Sequence, residues 1–66
     1  MRLSVNGVPA EHSGTIADLL TDRLADPRPH GIAVAVNGEV VRRDDWPRRL
    51  LVEGDRVEVV TAVQGG

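Results

Sequence analysis

Only one stretch of this chain carries a helical period, and that single stripe limits the folds open to it. Ile16, Leu19, Leu20 and Leu24 fall at i, i+3, i+4 and i+8, while Asp18, Asp22 and Arg23 take the wet side. Thr15 stands where an N-cap hydroxyl accepts from the free amides of the first turn, and Asp18, three residues on, makes a short version of the capping box. Asp26-Pro27-Arg28-Pro29 closes the segment, because proline lacks the amide a helix needs and restricts the residue before it. An apolar stripe on one helix must be buried against another layer, and no second helical segment is available to form it. The helix is therefore expected to lie across a sheet.

The strands for that sheet are short. Leu3 and Val5 alternate with Arg2 and Ser4, and Asn6-Gly7 follows, the dipeptide suited to the two positive φ angles of a type I′ hairpin turn. Val8 to His12 returns, with Pro9 marking an edge, and Ser13-Gly14 ends it. Ile32 to Val36 is a continuous small apolar run that reads as a strand buried on both faces, and Asn37-Gly38 turns it back through Glu39 to Val41. Arg42 to Leu51 is charged and irregular, with Asp44 or Asp45 expected to cap a single turn holding Trp46 and Pro47. Gly54-Asp55 makes a further turn, and Arg56 to Val63 is the last strand, with Val57 and Val59 on one side and Glu58 and Val60 on the other.

Hairpin, helix, strand, return strand, irregular turn and final strand together specify an α+β chain of β-grasp, ubiquitin-like order. The expectation is a mixed sheet of four to five strands covered by one main helix, in a single domain over 1–63 with a tail at 64–66. Leu3, Val5, Ile16, Leu19, Leu20, Val34, Val36, Val57 and Val59 are its expected core. By the same alternation Val60 and Ala62 project from the uncovered face just ahead of the tail. They read either as a partner-docking patch or as the scattered apolar residues any surface carries.

Composition removes several classes of function. There is no cysteine, so neither a disulfide nor a thiolate nucleophile is available, and His12 and His30 stand apart without metal-ligand company. The 8 basic and 10 acidic residues leave a net charge of −2, unlike the basic footprint of a nucleic-acid binder. No apolar run approaches the ~20 residues of a membrane span and no export segment is evident, so a soluble, cytoplasmic protein is expected. Asp44-Asp45 reads as a solvated cap, and none of the serines or threonines has a histidine placed beside it in sequence as a base. The two Asn-Gly pairs lack the strand-to-helix setting of a phosphate loop. The chain does not read as an enzyme. Arg42, Arg43, Arg48 and Arg49 surround Trp46, the one aromatic, and two readings stand: a solvated loop in which Trp46 lids the core, or a contact surface for an acidic partner or RNA.

The end of the chain is the remaining place for chemistry. In Val63-Gln64-Gly65-Gly66 neither glycine has a Cβ, so Gln64 and Gly65 suit threading into a narrow channel of another protein. The carboxylate of Gly66, with an ordinary pKa of about 3.3–3.7, is ionised at neutral pH and able to attack an electrophilic phosphate. A frayed terminus is the plainer reading of two glycines alone.

Taken in order, the residues resemble the ThiS family of sulfur carriers in thiamine thiazole biosynthesis. The likeness runs through Asn6, Thr15-Ile16-Ala17-Asp18-Leu19-Leu20, Ala35-Val36-Asn37-Gly38-Glu39-Val40-Val41, Arg43 and Trp46, Gly54-Asp55-Arg56-Val57-Glu58-Val59-Val60, and Val63-Gln64-Gly65-Gly66. Two loop features depart from it: Arg42 stands where the family often has proline, and the 25–31 connection is rich in proline and arginine. The resemblance implies that an E1-like, ThiF-type enzyme uses ATP and magnesium to adenylate the carboxylate of Gly66. A persulfide donor then supplies sulfur to give a thiocarboxylate, and a ThiG-type thiazole synthase takes that sulfur. The chain would be a covalent cosubstrate with no bound cofactor. Related carriers serve molybdopterin, cysteine and tRNA thiolation, and a noncatalytic β-grasp interaction module is the alternative of another kind. The absence of lysine would also prevent isopeptide capture by a sister molecule, although base composition of the genome accounts for it more simply.

Overall fold

The computed structural model describes residues 1–26 and 30–61. Strands β1 (Arg2–Val5), β2 (Val8–Glu11), β3 (Ile32–Val36), β4 (Glu39–Val41) and β5 (Arg56–Thr61) form one sheet in the order β2-β1-β5-β3-β4, with helix α1 (Ile16–Leu24) laid across it. The β1–β5 pair is parallel and the others antiparallel, so the sheet is mixed and the arrangement is the β-grasp expected from the element order.

Both hairpins close through their Asn-Gly pairs. Val5 pairs with Val8 around Asn6 (φ 52°) and Gly7 (φ 81°), and Val36 pairs with Glu39 around Asn37 (φ 53°) and Gly38 (φ 87°). Two consecutive positive φ values are the signature of the I′ turn, whose twist matches that of the strands it joins. Pro9 lies on β2, an edge strand.

The capping box of α1 is complete. The Asp18 amide donates to Thr15 Oγ1 at 3.2 Å, and the Thr15 amide donates to Asp18 Oδ2 at 2.9 Å. Two further free amides of the first turn find carbonyls in the 42–51 segment: Ile16 N–H donates to Arg49 and Ala17 N–H to Trp46. The helix ends at Leu24, before the prolines invoked to stop it, with Ala25 in the left-handed region at φ 60° and its N–H returned to Thr21. Pro27 and Pro29 lie outside the described residues.

The core between helix and sheet takes in Leu3, Val5, Ile16, Leu19, Leu20, Val34, Val36 and Val57 as expected, and adds Ala17, Trp46 and Leu51. Three expectations need correction. Val59 is only half-buried, packed at the margin of the core where a shallow groove opens between it and Leu20, Arg23 and Leu24 of the last helical turns. The β3 run is buried on one face, not two: Val34 and Val36 are covered while Ala33 is exposed and Ala35 half-exposed, since one helix covers one side of a sheet. Neither Asp44 nor Asp45 caps the short 3₁₀ turn Arg43–Asp45; its N-cap position is Arg42, with no side-chain capping bond. Asp45 instead pairs with Arg48 at 2.8 Å.

Of the two readings of the arginine-rich segment, the lid describes Trp46. The indole is 1% exposed and its Nε1–H donates to the Val41 carbonyl at 3.0 Å, so it is unavailable as an interface anchor. The segment seals one end of the core and caps the helix at the same time.

Candidate functional site

Strand β5 holds the middle of the sheet and leads to the C-terminal segment in which the sequence concentrates its chemistry. On one side it pairs with β3 from Val36–Val57 to Ile32–Thr61. On the other it pairs with β1 at Ser4–Arg56 and Val5–Val57, with the Ser4 and Asn6 amides donating to the carbonyls of Asp55 and Val57.

At the start of β5 and at Val59, two residues before its end, a turn asparagine extends that pairing with its side chain. The Asn6 carboxamide faces Val59: Val59 N–H donates to Oδ1 at 2.8 Å and Nδ2 donates to the Val59 carbonyl at 3.1 Å. Asn37 faces the start of the strand, where Arg56 N–H donates to its Oδ1 at 2.9 Å and its Nδ2 donates to Asp55 Oδ1 at 3.0 Å. Asp55 is the one buried charged residue among those described, at 5% exposure, and its other oxygen accepts from Val52 N–H at 2.9 Å. A buried carboxylate is stable only when its lone pairs are occupied, and these bonds do that. Sequence reasoning read Asn6, Asn37 and Asp55 as turn residues and missed this bracketing, because each partner depends on which strand lies alongside.

The uncovered face divides in two. Over β2 and β1 it is polar, with Arg2 and Glu11 paired across strands at 3.8 Å. Over β5, β3 and β4 it is mixed, with exposed Arg56 and Glu58 at the start of β5 and small apolar residues beyond and beside them. Ala33 sits opposite Val60 and Ala35 opposite Val40, with Val60 57% and Val40 77% exposed. Val60 therefore lies on the face expected for docking, and Ala33, Ala35 and Val40 were not anticipated with it. Ala62, Gln64, Gly65 and Gly66 lie outside the described residues.

Nothing else in the described residues assembles as a reaction centre. No group of three or more His, Asp or Glu side chains converges as a metal would need. His12 is the one inward histidine, with its ring nitrogens 3.5 Å from Asp22 Oδ2 and 3.4 Å from the Thr15 carbonyl, beside α1 and away from β5. Among the described residues no helix is long and apolar enough to cross a membrane.

Comparison with known proteins accords with this arrangement. The model of the ThiS family matches residues 3–66. The sulfur carrier protein ThiS of Escherichia coli (strain K12) is 31% identical over 52 residues, covering 79% of this chain and 76% of that protein. Among solved structures, the crystal structure of thiamine biosynthesis protein ThiS from Geobacter metallireducens superposes with a TM-score of 0.82 at 31% identity, covering the whole of both chains. A solution structure of a thiamine biosynthesis protein from the same organism gives 0.75 at 30% identity, over 100% of this chain and 88% of the other. In sequence from Leu3 to Gly66, and in the course of its strands and helix, the chain belongs to the ThiS family.

Proposed function

We propose that this chain is a sulfur carrier of thiamine biosynthesis whose working group is the carboxylate of Gly66. The observation that carries the reading is the reach of the family match, which runs through Gly65 and Gly66. The chain has no cysteine, so no thiol on a side chain competes with that terminus as a place to hold transferable sulfur.

In this reading the chain is a cosubstrate and its partners are the catalysts. A carboxylate oxygen of Gly66 attacks the α-phosphorus of magnesium-bound ATP in an E1-like, ThiF-type enzyme, and pyrophosphate leaves. The terminal sulfur of a donor persulfide then attacks the acyl carbon and AMP departs. A thiol reduces the resulting acyl disulfide, leaving a thiocarboxylate for a ThiG-type thiazole synthase to consume. ATP and magnesium belong to the activating partner and nothing in the described residues is asked to bind them.

What the chain supplies is presentation. Val60, with Ala33 opposite it and Ala35 and Val40 further along β3 and β4, offers the partner a small apolar area on the open face, to which the sequence alternation would add Ala62. Gln64 and Gly65 then enter the channel ahead of Gly66. Docking and chemistry are therefore separable. Deleting Gly66 is expected to leave binding to the activating enzyme intact while abolishing ATP–pyrophosphate exchange. Exchange that persists at the full rate without Gly66 would refute the assignment.

A further inference from the structure

The backbone of β1 stops pairing with β5 two residues before the sheet needs it to. Its last rung is Val5–Val57, and at Asn6 the chain turns away at φ 52° into the hairpin. On the other flank β3 continues to pair as far as Thr61. Left to the backbone alone, the amide and carbonyl of Val59 would face the β1 side without a strand partner. The Asn6 carboxamide supplies one: a carbonyl oxygen at 2.8 Å from the Val59 nitrogen and an amide nitrogen at 3.1 Å from the Val59 oxygen. Those are the acceptor and donor a peptide group would present, delivered by a side chain 53 positions away in sequence. Val59 is thus the last residue of β5 seen to be held on both sides, and six residues lie between it and Gly66.

Asn37 makes a closely similar bracket at the other end of β5, on Arg56 and Asp55. Two asparagine brackets toward the two ends of one strand, the Asn37 one made partly to the buried Asp55 carboxylate, allow stability and positioning to be told apart. Loss of either loosens the sheet, but only loss of the Asn6 bracket loosens the end from which the C-terminal segment departs.

We propose that Asn6 is a positioning residue for the reaction at Gly66: its side-chain amide fixes β5 at Val59, two residues before the strand's end, so that a docked partner receives the C-terminal segment from a set point and direction. The inference rests on the sulfur-carrier reading above. Reaction rates are sensitive to displacements of about 1 Å in a reacting group, on the order of 100-fold in favourable cases. A strand end released from one of its two neighbours therefore lowers the turnover of a docked complex without weakening docking itself, which uses the sheet face.

The test compares Asn6→Gly with Asn37→Gly. Glycine tolerates the positive φ of both turns, so each variant loses the bracket and keeps the hairpin. Both are assayed in ATP–pyrophosphate exchange with an E1-like activating enzyme, at a temperature where circular dichroism shows both folded, alongside backbone amide exchange at Val59. Asn6→Gly is expected to lower kcat about tenfold or more with KM within about twofold, and to speed amide exchange at Val59. Asn37→Gly is expected to keep kcat near the wild-type value. Asn6→Asp, which retains the acceptor for Val59 N–H but loses the donor, should fall between Asn6→Gly and wild type. Equal loss of kcat in the two glycine variants, a change in KM alone, or unaltered protection of Val59 in Asn6→Gly would overturn the inference while leaving the carrier reading in place. A wild-type chain that supports no exchange would overturn the carrier reading, and the inference with it.

Discussion

On the face of the sheet turned toward α1, Leu3, Val5, Val34, Val36 and Val57 are buried, whereas on the opposite face Val40 and Val60 stand more than half exposed. The two faces are built from adjacent residues of the same strands. One is covered by a helix and by the Trp46 segment, with Ile32, Val41 and Val59 half-buried at its margin; the other carries alanines and valines among polar residues such as Arg56 and Glu58, with none of the described residues over them. Burial of apolar surface is what holds a 66-residue chain together, so stability is concentrated on the first face. Residues of the second face contribute little to it and are free to serve recognition. The comparison makes a strong claim: substitutions on one face should unfold the chain without being specific to function, and those on the other should do the reverse.

The most direct way to break that claim is at Trp46. Trp46→Ala removes the largest fully buried side chain and the Nε1–H bond to Val41, and should cost about 3–5 kcal/mol in a denaturant titration. That is a large part of the stability of so small a domain. A loss below ~1 kcal/mol would mean that the 42–51 segment is an ornament on the core. Next in size is Asp55→Ala, which strands the Asn37 amide and the Val52 N–H and should cost about 1–3 kcal/mol by the same measurement. An effect within experimental error would remove Asp55 from the account of how β5 is anchored.

A smaller effect tests the helix side through pH. Asp18 is held below its ordinary 3.8 chiefly by the Thr15 amide that donates to its carboxylate, and next by the Thr15 side chain. A carboxylate whose pKa is depressed on folding stabilises the fold above its unfolded pKa, and that contribution is lost as pH falls through the folded value. The stability difference between wild type and Asp18→Asn should therefore be constant above about 3.8 and shrink as the pH is taken below it. A difference that grows on acidification would contradict the capping box as described.

Val60→Asp should have the smallest effect on the fold, within about 0.5 kcal/mol, because the side chain already faces solvent. It should nonetheless weaken the complex with an activating enzyme, measured by titration calorimetry. Unfolding by Val60→Asp would mean that the two faces have been exchanged by a slip of one residue in β5.

Much of this was legible in the residues. The Asn-Gly pairs dictate local φ values that few other dipeptides accept, and the Ile16, Leu19, Leu20 stripe can face only one layer. What could not be read depends on distant neighbours. Ile32 to Val36 is apolar at every position, and only the presence of a single helix decides that Ala33 and Ala35 stay uncovered. Asn6 and Asn37 are fully explained by their turns until β5 is placed beside them; their side-chain bonds follow from strand order, which no local pattern encodes. Trp46 lies in a run of arginines and aspartates, and its burial follows from the fold of 42–51 back onto the helix N-terminus. For the C-terminal site, Ala33 and Ala35, which extend the Val60 area, come from β3 and Val40 comes from β4, again joined to it only by register.

The central claim is that the chain carries sulfur at its own end, and intact-protein mass spectrometry reads it directly. After incubation with ATP, magnesium, an E1-like activating enzyme and a persulfide donor, the mass should rise by the difference between one sulfur and one oxygen atom, and fragmentation should place the change on Gly66. A modification mapped to any side chain, or an unchanged mass when the same enzyme and donor convert a known carrier, would contradict it.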